Sequence, residues 1–503
     1  MASVDLGNPS NKQTVTVTGV EETLDDRISQ LPDSLLIQIL SLLPTKEAFK
    51  TCILSKRWQY LCTSVYNLNF TDAENMRQEA FISYVDYALA RCTSSKIKKF
   101  QLTFGWQHVY WSQYSQWLAF AVEKRVEHVE LKSFGDDYDI FTLPQFICTC
   151  SSLITLKLIR CALDKEVIIA WKSLKSLVLI DMVLDGDDIV NLLSGSPALE
   201  TLEFNLCMGF RRLEISSSNL KRLNIKSWRL LDVEDDHSLE IFAPYLQHLE
   251  ISGSISDLKC RLLNVSSLVN AKLTFKIDCE KDIQDWNGYY VDDAEDSCRD
   301  YHQSFIIVVQ DYLQKLSNVT NLTIGTWLTE VLCMLQLEEV PIPELKCKYL
   351  TLELHLKKLN LYGVASLLRA SPHVETLNID MATMSLHDSF CHFKLRYLAK
   401  GDNVDLRRWT SSFVCPSLKN VKIINSLGVC LKDHFTQGCD KLFELSKFLL
   451  KNATVLEKFF IISKTRKCRR CSTDCVSRYF FQLAEKLLGC PRSSTNSVII
   501  FQE

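Results

Sequence analysis

The stretch DDRISQLPDSLLIQILSLLPTKEAFKTCILSKRWQYLC, residues 25–62, decides how the N-terminal part of this chain folds. Its apolar residues fall at helical spacing, and Asp33 is a residue type that caps helix N-termini. Pro44 ends this first helix, because the residue before a proline is pushed out of the α region. Thr45 and Ser55 are predicted caps of a second and a third short helix. Three helices in about 40 residues cannot enclose so many apolar side chains, so the pattern predicts an exposed apolar face that needs a partner.

The same stretch resembles the F-box of plant proteins, whose signature it follows in order. The matching words are Asp26-Arg27-Ile28-Ser29, Leu31-Pro32-Asp33, Leu35, Ile39-Leu40, Leu43-Pro44-Thr45-Lys46, Ala48 and Leu54-Ser55-Lys56-Arg57-Trp58. The resemblance implies that the module docks on the Skp-type adaptor of a cullin–RING ubiquitin ligase. The residues that it assigns to this surface are Leu31, Pro32, Leu35, Ile39, Leu43, Pro44, Leu54, Ser55 and Trp58. A tryptophan among aliphatic anchors is also typical of binding hot spots. We expect part of the apolar positions, Leu61 among them, to pack against the chain's own next domain instead.

Composition limits the classes of protein to which the chain can belong. A length of 503 residues predicts several domains or one elongated repeat domain. A net charge of −3 gives no basic footprint for nucleic acid. No run of 18 apolar residues is present, so we expect no membrane span. Residues 1–22 are typical of a disordered leader rather than a signal peptide, which predicts a cytoplasmic or nuclear protein.

The 20 cysteines are interpreted as thiols rather than disulfides. Without a secretory leader the compartment is reducing, so disulfides are not expected. Most cysteines lie among apolar residues and are expected to pack as small hydrophobes. Cys468, Cys471 and Cys475 have the spacing of part of a zinc site, with His434 or Cys439 as a possible fourth ligand. No second C-x-x-C pair follows at zinc-finger spacing, so an exposed loop is the favoured interpretation and no metal is predicted.

From about residue 95 the chain repeats a Leu-x-x-Leu-x-Leu unit. The unit occurs at 151–158, 172–179, 197–204, 218–225, 244–251, 266–273, 317–324, 372–379 and 416–423. Six successive anchor leucines are 21, 25, 21, 26 and 22 residues apart, which is the range of leucine-rich repeats: Leu153, Leu174, Leu199, Leu220, Leu246 and Leu268. The alternating leucines predict short strands with one buried face, stacked in parallel, and helical returns at 185–197 and 364–372. Cysteine or other residues often stand where regular repeats have asparagine.

An acidic insertion over 276–304 interrupts the repeats, and a helix over 304–316 is predicted to follow it. The insertion could be a calcium or substrate loop, but no EF-hand spacing is present and a solvated surface loop is favoured. The C-terminal segment resembles the FBD domain of plant F-box proteins with leucine-rich repeats. The residues that carry this resemblance are Phe448-Leu449-Leu450-Lys451-Asn452-Ala453, Leu456-Glu457-Lys458 and Pro491-Arg492-Ser493-Ser494. We interpret this segment as the closing cap of the repeats.

The predicted fold is therefore α/β: a leader over 1–22, a three-helix F-box over 23–70, an irregular leucine-rich-repeat solenoid of parallel strands and β–α units over 71–414, and a β–α cap over 415–503. No P-loop, H-E-x-x-H or G-x-S-x-G motif is present, so we expect no catalysis and no cofactor.

The expected function is that of a substrate-recognition subunit of an SCF-type ligase. Its partners would be the Skp-type adaptor, through it a cullin and a RING protein, and an unknown target protein, with no nucleic acid and no membrane. The alternatives are a repeat scaffold outside any ligase, or a receptor that binds a small molecule on the concave face. Basic candidates for such a ligand site, such as Lys221, Arg222 and Lys226, are too few to decide.

Overall fold

The computed structural model describes most of the chain in thirteen pieces. They are residues 28, 30–71, 77–104, 110–134, 140–228, 238–256, 259–278, 295–337, 340–354, 358–381, 413–425, 437–463 and 475–502. The predicted leader, most of the acidic insertion, Cys468, Cys471 and His434 lie outside the described residues. Among the described residues, no helix combines the length and the apolar composition that crossing a bilayer requires.

Three short helices and one 3-10 turn form the N-terminal module. They are α1 (Asp33–Leu40), α2 (Thr45–Lys50), the turn Thr51–Ile53 and α3 (Lys56–Thr63). Ser55 caps α3 as predicted, since its hydroxyl accepts a hydrogen bond from the backbone N–H of Trp58 at 3.4 Å.

The predicted caps of α1 and α2 are wrong. Pro32 and Pro44 occupy the N-cap positions, and Asp33 and Thr45 are the first helical residues, without a side-chain cap. Because a proline takes the N-cap position, Asp33 and Thr45 lie one residue inside their helices, and their side chains bind groups outside the helix instead. The Asp33 carboxylate binds Arg57, and the Thr45 hydroxyl accepts the backbone N–H of Asn69 at 2.6 Å.

The described residues contain twenty strands, the first of which begins shortly after α3. They are β1 (Asn67–Phe70), β2 (Lys99–Phe104), β3 (His128–Ser133), β4 (Phe141–Thr142), β5 (Thr155–Ile159), β6 (Cys161–Ala162), β7 (Ser176–Ile180), β8 (Thr201–Asn205), β9 (Arg212–Glu214), β10 (Arg222–Trp228), β11 (Ser238–Phe242), β12 (His248–Ser256), β13 (Lys259–Asn264), β14 (Asn270–Asp278), β15 (Asn321–Gly325), β16 (Tyr349–Glu353), β17 (Thr376–Met381), β18 (Asn420–Asn425), β19 (Lys458–Ser463) and β20 (Val498–Gln502). Fifteen of them form one parallel sheet in chain order, and β9, β11 and β13 form a second parallel sheet.

Each of the nine repeats found in the sequence contains a strand of the main sheet, which confirms the predicted stacking. The leucines of one face pair in register across successive strands. This row consists of Leu156, Leu177, Leu202, Leu223 and Leu249, each at most 2% exposed. Burying each such side chain contributes about 2 kcal/mol, and only stacked neighbours can bury it. The nine repeat units do not include β1, β2, β3 and β16. In the first three strands, phenylalanine or valine takes one of the two leucine positions, whereas β16 keeps the pattern with Leu350 and Leu352 and was simply missed.

Five consecutive repeats carry a residue of positive φ, directly after the strand in the first three and inside the strand in the last two. These residues are Arg160, Asp181, Leu206, Ser227 and Gly253. The first three donate their backbone N–H to a carbonyl of the next strand, at 2.8 to 2.9 Å. After each of these three residues the chain leaves the main sheet, and the next residue, Cys161, Met182 or Cys207, is buried.

Cysteine occupies two of these three buried positions, as Cys161 and Cys207. The thiol of Cys207 donates a hydrogen bond to the carbonyl of Leu179 at 3.3 Å and so joins two repeats. Burial raises the pKa of Cys207 to about 11 and that of Cys161 to about 12. Both thiols therefore stay protonated and pack as small hydrophobes, as predicted.

Helices complete the β–α units. They are α4 (Gln78–Arg91), α5 (Trp111–Glu123), α6 (Gln145–Cys148), α7 (Gly186–Gly195), α8 (Glu295–Lys315), α9 (Thr326–Leu337), α10 (Lys358–Ala370), α11 (Gln437–Asn452) and α12 (Cys475–Leu488). The predicted helical returns correspond to α7 and α10, and the predicted alternation at the C-terminal end to α11, β19, α12 and β20. The helix predicted after the insertion begins earlier, at Glu295, and β14 extends to Asp278, so both elements enter the segment that the sequence analysis assigned to the insertion.

The capping box of α7 gives a testable stability difference. The Asp185 carboxylate accepts a hydrogen bond from the backbone N–H of Asp188 at 2.9 Å, and the Asp188 carboxylate accepts one from the backbone N–H of Asp185, also at 2.9 Å. We expect Asp185→Ala to lower the free energy of unfolding by about 1 kcal/mol, measured by urea titration. The bond from Asp188 lowers the pKa of the Asp185 carboxyl. Because the pKa of Asp185 is lowered by folding, its carboxylate stabilises the folded state at pH values above the ordinary carboxyl pKa. This stabilisation is lost as the pH falls through the folded-state pKa, so the free energies of unfolding of wild type and variant should converge in acid. An equal difference at all pH values would contradict this assignment.

Candidate partner-docking surface

Exposed apolar side chains are concentrated in the N-terminal module. Of the 22 large hydrophobic residues that are exposed among the described residues, eight lie within residues 28–60. We call these eight the N-terminal apolar face: Ile28, Leu35, Ile39, Leu42, Leu43, Ile53, Leu54 and Tyr60. Single exposed apolar residues need no explanation, but a cluster of this kind marks an interaction site.

Helix α1 carries apolar residues on two sides. Leu36 and Leu40 are 1% and 2% exposed and belong to the core, whereas Leu35 and Ile39 are 45% and 47% exposed. The helix ends at Leu40, and a hydrogen-bonded turn follows, in which the backbone N–H of Leu43 donates to the carbonyl of Leu40. Leu43 itself is exposed and directly precedes Pro44. One face of α1 therefore attaches the module to the rest of the chain, and the other face remains open.

The 3-10 turn between α2 and α3 presents the most exposed part of the N-terminal apolar face. Ile53 is 89% exposed and Leu54 63% exposed. Ser55, also exposed, fixes the start of α3 directly after them through its cap. The turn thus places two aliphatic side chains in solvent at a defined position.

The predicted adaptor-binding residues divide into two groups. Seven are exposed: Pro32, Leu35, Ile39, Leu43, Pro44, Leu54 and Ser55. Leu31 and Trp58 are only half-buried and pack against the core, so much of their surface is already covered within the chain. Leu61 is fully buried, as expected.

Sequence reasoning missed four members of the exposed set, namely Ile28, Leu42, Ile53 and Tyr60. Leu42 and Ile53 stand next to predicted contact residues, in turns to which helical periodicity does not apply.

Arg57 ties the first helix of the module to the third. Its guanidinium donates to the carbonyl of Leu31 at 2.6 Å and to the carboxylate of Asp33 at 2.6 and 2.8 Å. On the other side, the side chain of Asn67 in β1 donates to the carbonyl of Ser41 at 3.0 Å. The module is therefore fixed internally and joined to the first strand of the sheet.

The structure corrects the expectation that the cysteines are all free. Cys52 and Cys62 form a disulfide, with their Cα atoms 6.3 Å apart. The residues lie on neighbouring elements, the 3-10 turn and α3, whose packing brings the two side chains together. The ten other cysteines whose side chains the structure describes are free.

The polar face of the main sheet carries charges that are paired with each other. Lys157 binds Glu130 at 2.7 Å, and Lys226 binds Glu203 at 3.1 Å. Of the three basic residues considered for a small-molecule site, Lys226 is thus neutralised within the sheet. Among the described residues, no group of three His, Cys, Asp or Glu side chains is placed to hold a metal ion.

Comparison with known proteins identifies both halves of this arrangement. The F-box domain model matches residues 28–70, and the model described as At1g61320/AtMIF1, LRR domain, matches residues 89–284. An F-box/LRR-repeat protein of Arabidopsis thaliana is 32% identical over 451 residues, which cover 84% of this chain and 90% of the relative.

Two further relatives from Arabidopsis thaliana agree with this assignment. An F-box/LRR-repeat protein is 32% identical over 362 residues, covering 70% of this chain and 72% of the relative. An F-box/FBD/LRR-repeat protein is 27% identical over 442 residues, covering 84% of this chain and 96% of the relative. An F-box match on the helical module, a repeat match on the sheet and a relative of this identity and coverage lead to one conclusion: the chain belongs to the plant F-box/LRR-repeat family.

Proposed function

We propose that this chain is the substrate-recognition subunit of an SCF-type cullin–RING ubiquitin ligase. The N-terminal apolar face binds the Skp-type adaptor, and the adaptor connects the chain to the cullin and the RING protein. The observation that carries the proposal is the concentration of exposed aliphatic side chains on a module that is fixed by its own contacts. The chain itself would perform no chemistry, and it would act in the cytoplasm, the nucleus or both.

The contact set that we propose follows the exposure of the predicted residues. Leu35, Ile39, Leu43 and Leu54 supply apolar area, and Pro32, Pro44 and Ser55 lie beside them. Each aliphatic side chain that becomes buried in the complex contributes about 2 kcal/mol before the cost of association is subtracted. Leu31 and Trp58 support the surface from below and contribute only through their exposed parts.

The repeats would bind the target protein and hold it near the ubiquitin-carrying enzyme. The main sheet runs without interruption from β1, which carries the helical module, to β20. A rigid connection of this kind turns a bimolecular encounter into a tethered one and raises the effective concentration of target lysines. We assign the module to 23–70, the repeats to 71–414 and an FBD-type cap to 415–503.

The alternative of a repeat scaffold outside any ligase predicts no adaptor binding. A small-molecule receptor is the less favoured alternative, since Lys226, one of the three basic residues considered for its site, is already paired with Glu203.

The test is co-expression of the full chain with a plant Skp-type adaptor, followed by size-exclusion chromatography. We expect a stable complex of one chain with one adaptor. Separate elution from every adaptor tried would refute the ligase role and leave the scaffold.

A further inference from the structure

A disulfide lies directly beneath the most exposed part of the N-terminal apolar face. Cys52 belongs to the 3-10 turn that also carries Ile53, and Cys62 belongs to α3. Cys62 is fully buried, whereas Cys52 is half-buried. Cys52 is therefore the residue of the pair that remains partly open to solvent, whereas Cys62 is enclosed by the fold.

We propose that Cys52 and Cys62 form a reversible redox site that exchanges with a low-molecular-weight disulfide such as glutathione disulfide. The Cys52 thiolate attacks one sulfur of glutathione disulfide, which forms a mixed disulfide and releases one glutathione. The Cys62 thiolate then attacks the Cys52 sulfur and displaces the second glutathione. The protein loses two electrons and two protons, and one glutathione disulfide becomes two glutathiones.

The surroundings of the pair accommodate both oxidation states. In the oxidised state the two Cα atoms stand 6.3 Å apart, within the usual range for a disulfide. The sulfur of Cys62 also lies 3.3 Å from the carbonyl oxygen of Gln59, so the thiol formed on reduction has a hydrogen-bond acceptor in place. Reduction therefore leaves the buried Cys62 thiol with a hydrogen-bond partner.

The deep cysteines of the repeats do not share this chemistry. Burial raises the pKa of Cys148 and of Cys260 to about 12, so almost no thiolate forms at neutral pH. Cys62 is just as buried, but it attacks a Cys52 sulfur that the fold holds next to it, so a small thiolate fraction suffices. Cys148 and Cys260 are free cysteines with no such partner and are therefore unreactive. The combination of a partner and a partly exposed sulfur distinguishes the Cys52–Cys62 pair from them.

Oxidation would stiffen the turn that presents Ile53 and Leu54. The two cysteines are ten residues apart, and the bond between them fixes the turn against α3. An ordered turn pays less conformational entropy when it binds. We therefore expect the oxidised chain to bind the Skp-type adaptor more tightly than the reduced chain, a consequence that rests on the proposed function.

The redox site itself is tested without any partner. The full chain is equilibrated in glutathione buffers of increasing oxidised fraction, free thiols are alkylated, and peptides are mapped by mass spectrometry without reduction. We expect a peptide linked through Cys52 and Cys62 that appears with a single midpoint and disappears on reduction. Alkylation of both residues at every ratio, or a bond that persists at every ratio, would overturn the proposal. Cys92→Ser, which removes a half-buried free cysteine, should leave the midpoint unchanged.

Hydrogen exchange and adaptor titration then test the coupling. Amides of the turn Thr51–Ile53 should exchange several-fold more slowly in the oxidised chain, and adaptor affinity should fall several-fold on reduction. The variant Cys52→Ser/Cys62→Ser should behave like the reduced chain in both buffers. Equal exchange and equal affinity in both states would overturn the coupling. Absence of binding in either state would refute the adaptor role, whereas the peptide map would still decide the redox site.

Discussion

Replacing Leu35 and Ile39 by aspartate is expected to abolish adaptor binding while the chain stays folded. Both side chains are nearly half exposed on α1, opposite the buried Leu36 and Leu40. In the proposed complex each loses its contact area, and each new carboxylate would have to be desolvated against an apolar partner. We expect affinity to fall by more than about 100-fold, which corresponds to roughly 3 kcal/mol.

The matched control for this variant lies on the repeats. Ile168 and Val190 are exposed aliphatic residues, 69% and 66%, outside the N-terminal module. Ile168→Asp/Val190→Asp makes the same chemical change and should leave adaptor affinity within about twofold, because surface substitutions usually have small effects. Affinity is measured by calorimetric titration, and folding by the thermal transition in circular dichroism. Equal loss of binding in both double variants would contradict the assignment of the surface.

The second large effect is expected at Gly363, where two helices of the repeats touch. Gly363 lies in α10, and a Cβ atom added there would overlap the backbone carbonyl of Thr329 in α9. A backbone atom in a packed helix cannot move aside as the end of a flexible side chain can. The better helix propensity of alanine offsets at most about 1 kcal/mol. We expect Gly363→Ala to lower the free energy of unfolding by about 2 kcal/mol or more.

Gly186 provides the control for this substitution. It is the first residue of α7, and an added Cβ atom would meet nothing within 4 Å. Gly186→Ala should therefore be neutral or slightly stabilising. Urea titration followed by circular dichroism compares the two variants with the wild type. A Gly363→Ala chain as stable as the Gly186→Ala chain would show that α9 and α10 are not in close contact.

The periodicity of apolar residues predicts elements better than it predicts their ends. The Leu-x-Leu motif predicted nine strands correctly, because the strands of stacked repeats require a buried residue at every second position. The caps of α1 and α2 were wrong, because a proline can itself take the N-cap position and move Asp33 and Thr45 into the helix. Patterns identify which residues can be buried, but local backbone geometry decides where a helix begins.

The candidate site shows a different limit. Leu35, Leu36, Ile39 and Leu40 are equivalent in the sequence, and only their packing against the sheet separates an inner from an outer pair. Trp58 matches the family signature, but the fold covers much of it. The disulfide was missed because the expectation came from the redox state of a compartment, which carries no information about the distance between two side chains.

The most direct test of the adaptor surface is hydrogen exchange of the full chain with and without a saturating Skp-type adaptor. Slower exchange is expected in peptides from 30–64, which contain the exposed side of α1 and the turn before α3. Peptides from the central strands, such as Asn321–Gly325, should exchange at the same rate in both samples. Protection confined to the repeats, or no protection anywhere, would contradict the proposal that the N-terminal apolar face binds the adaptor.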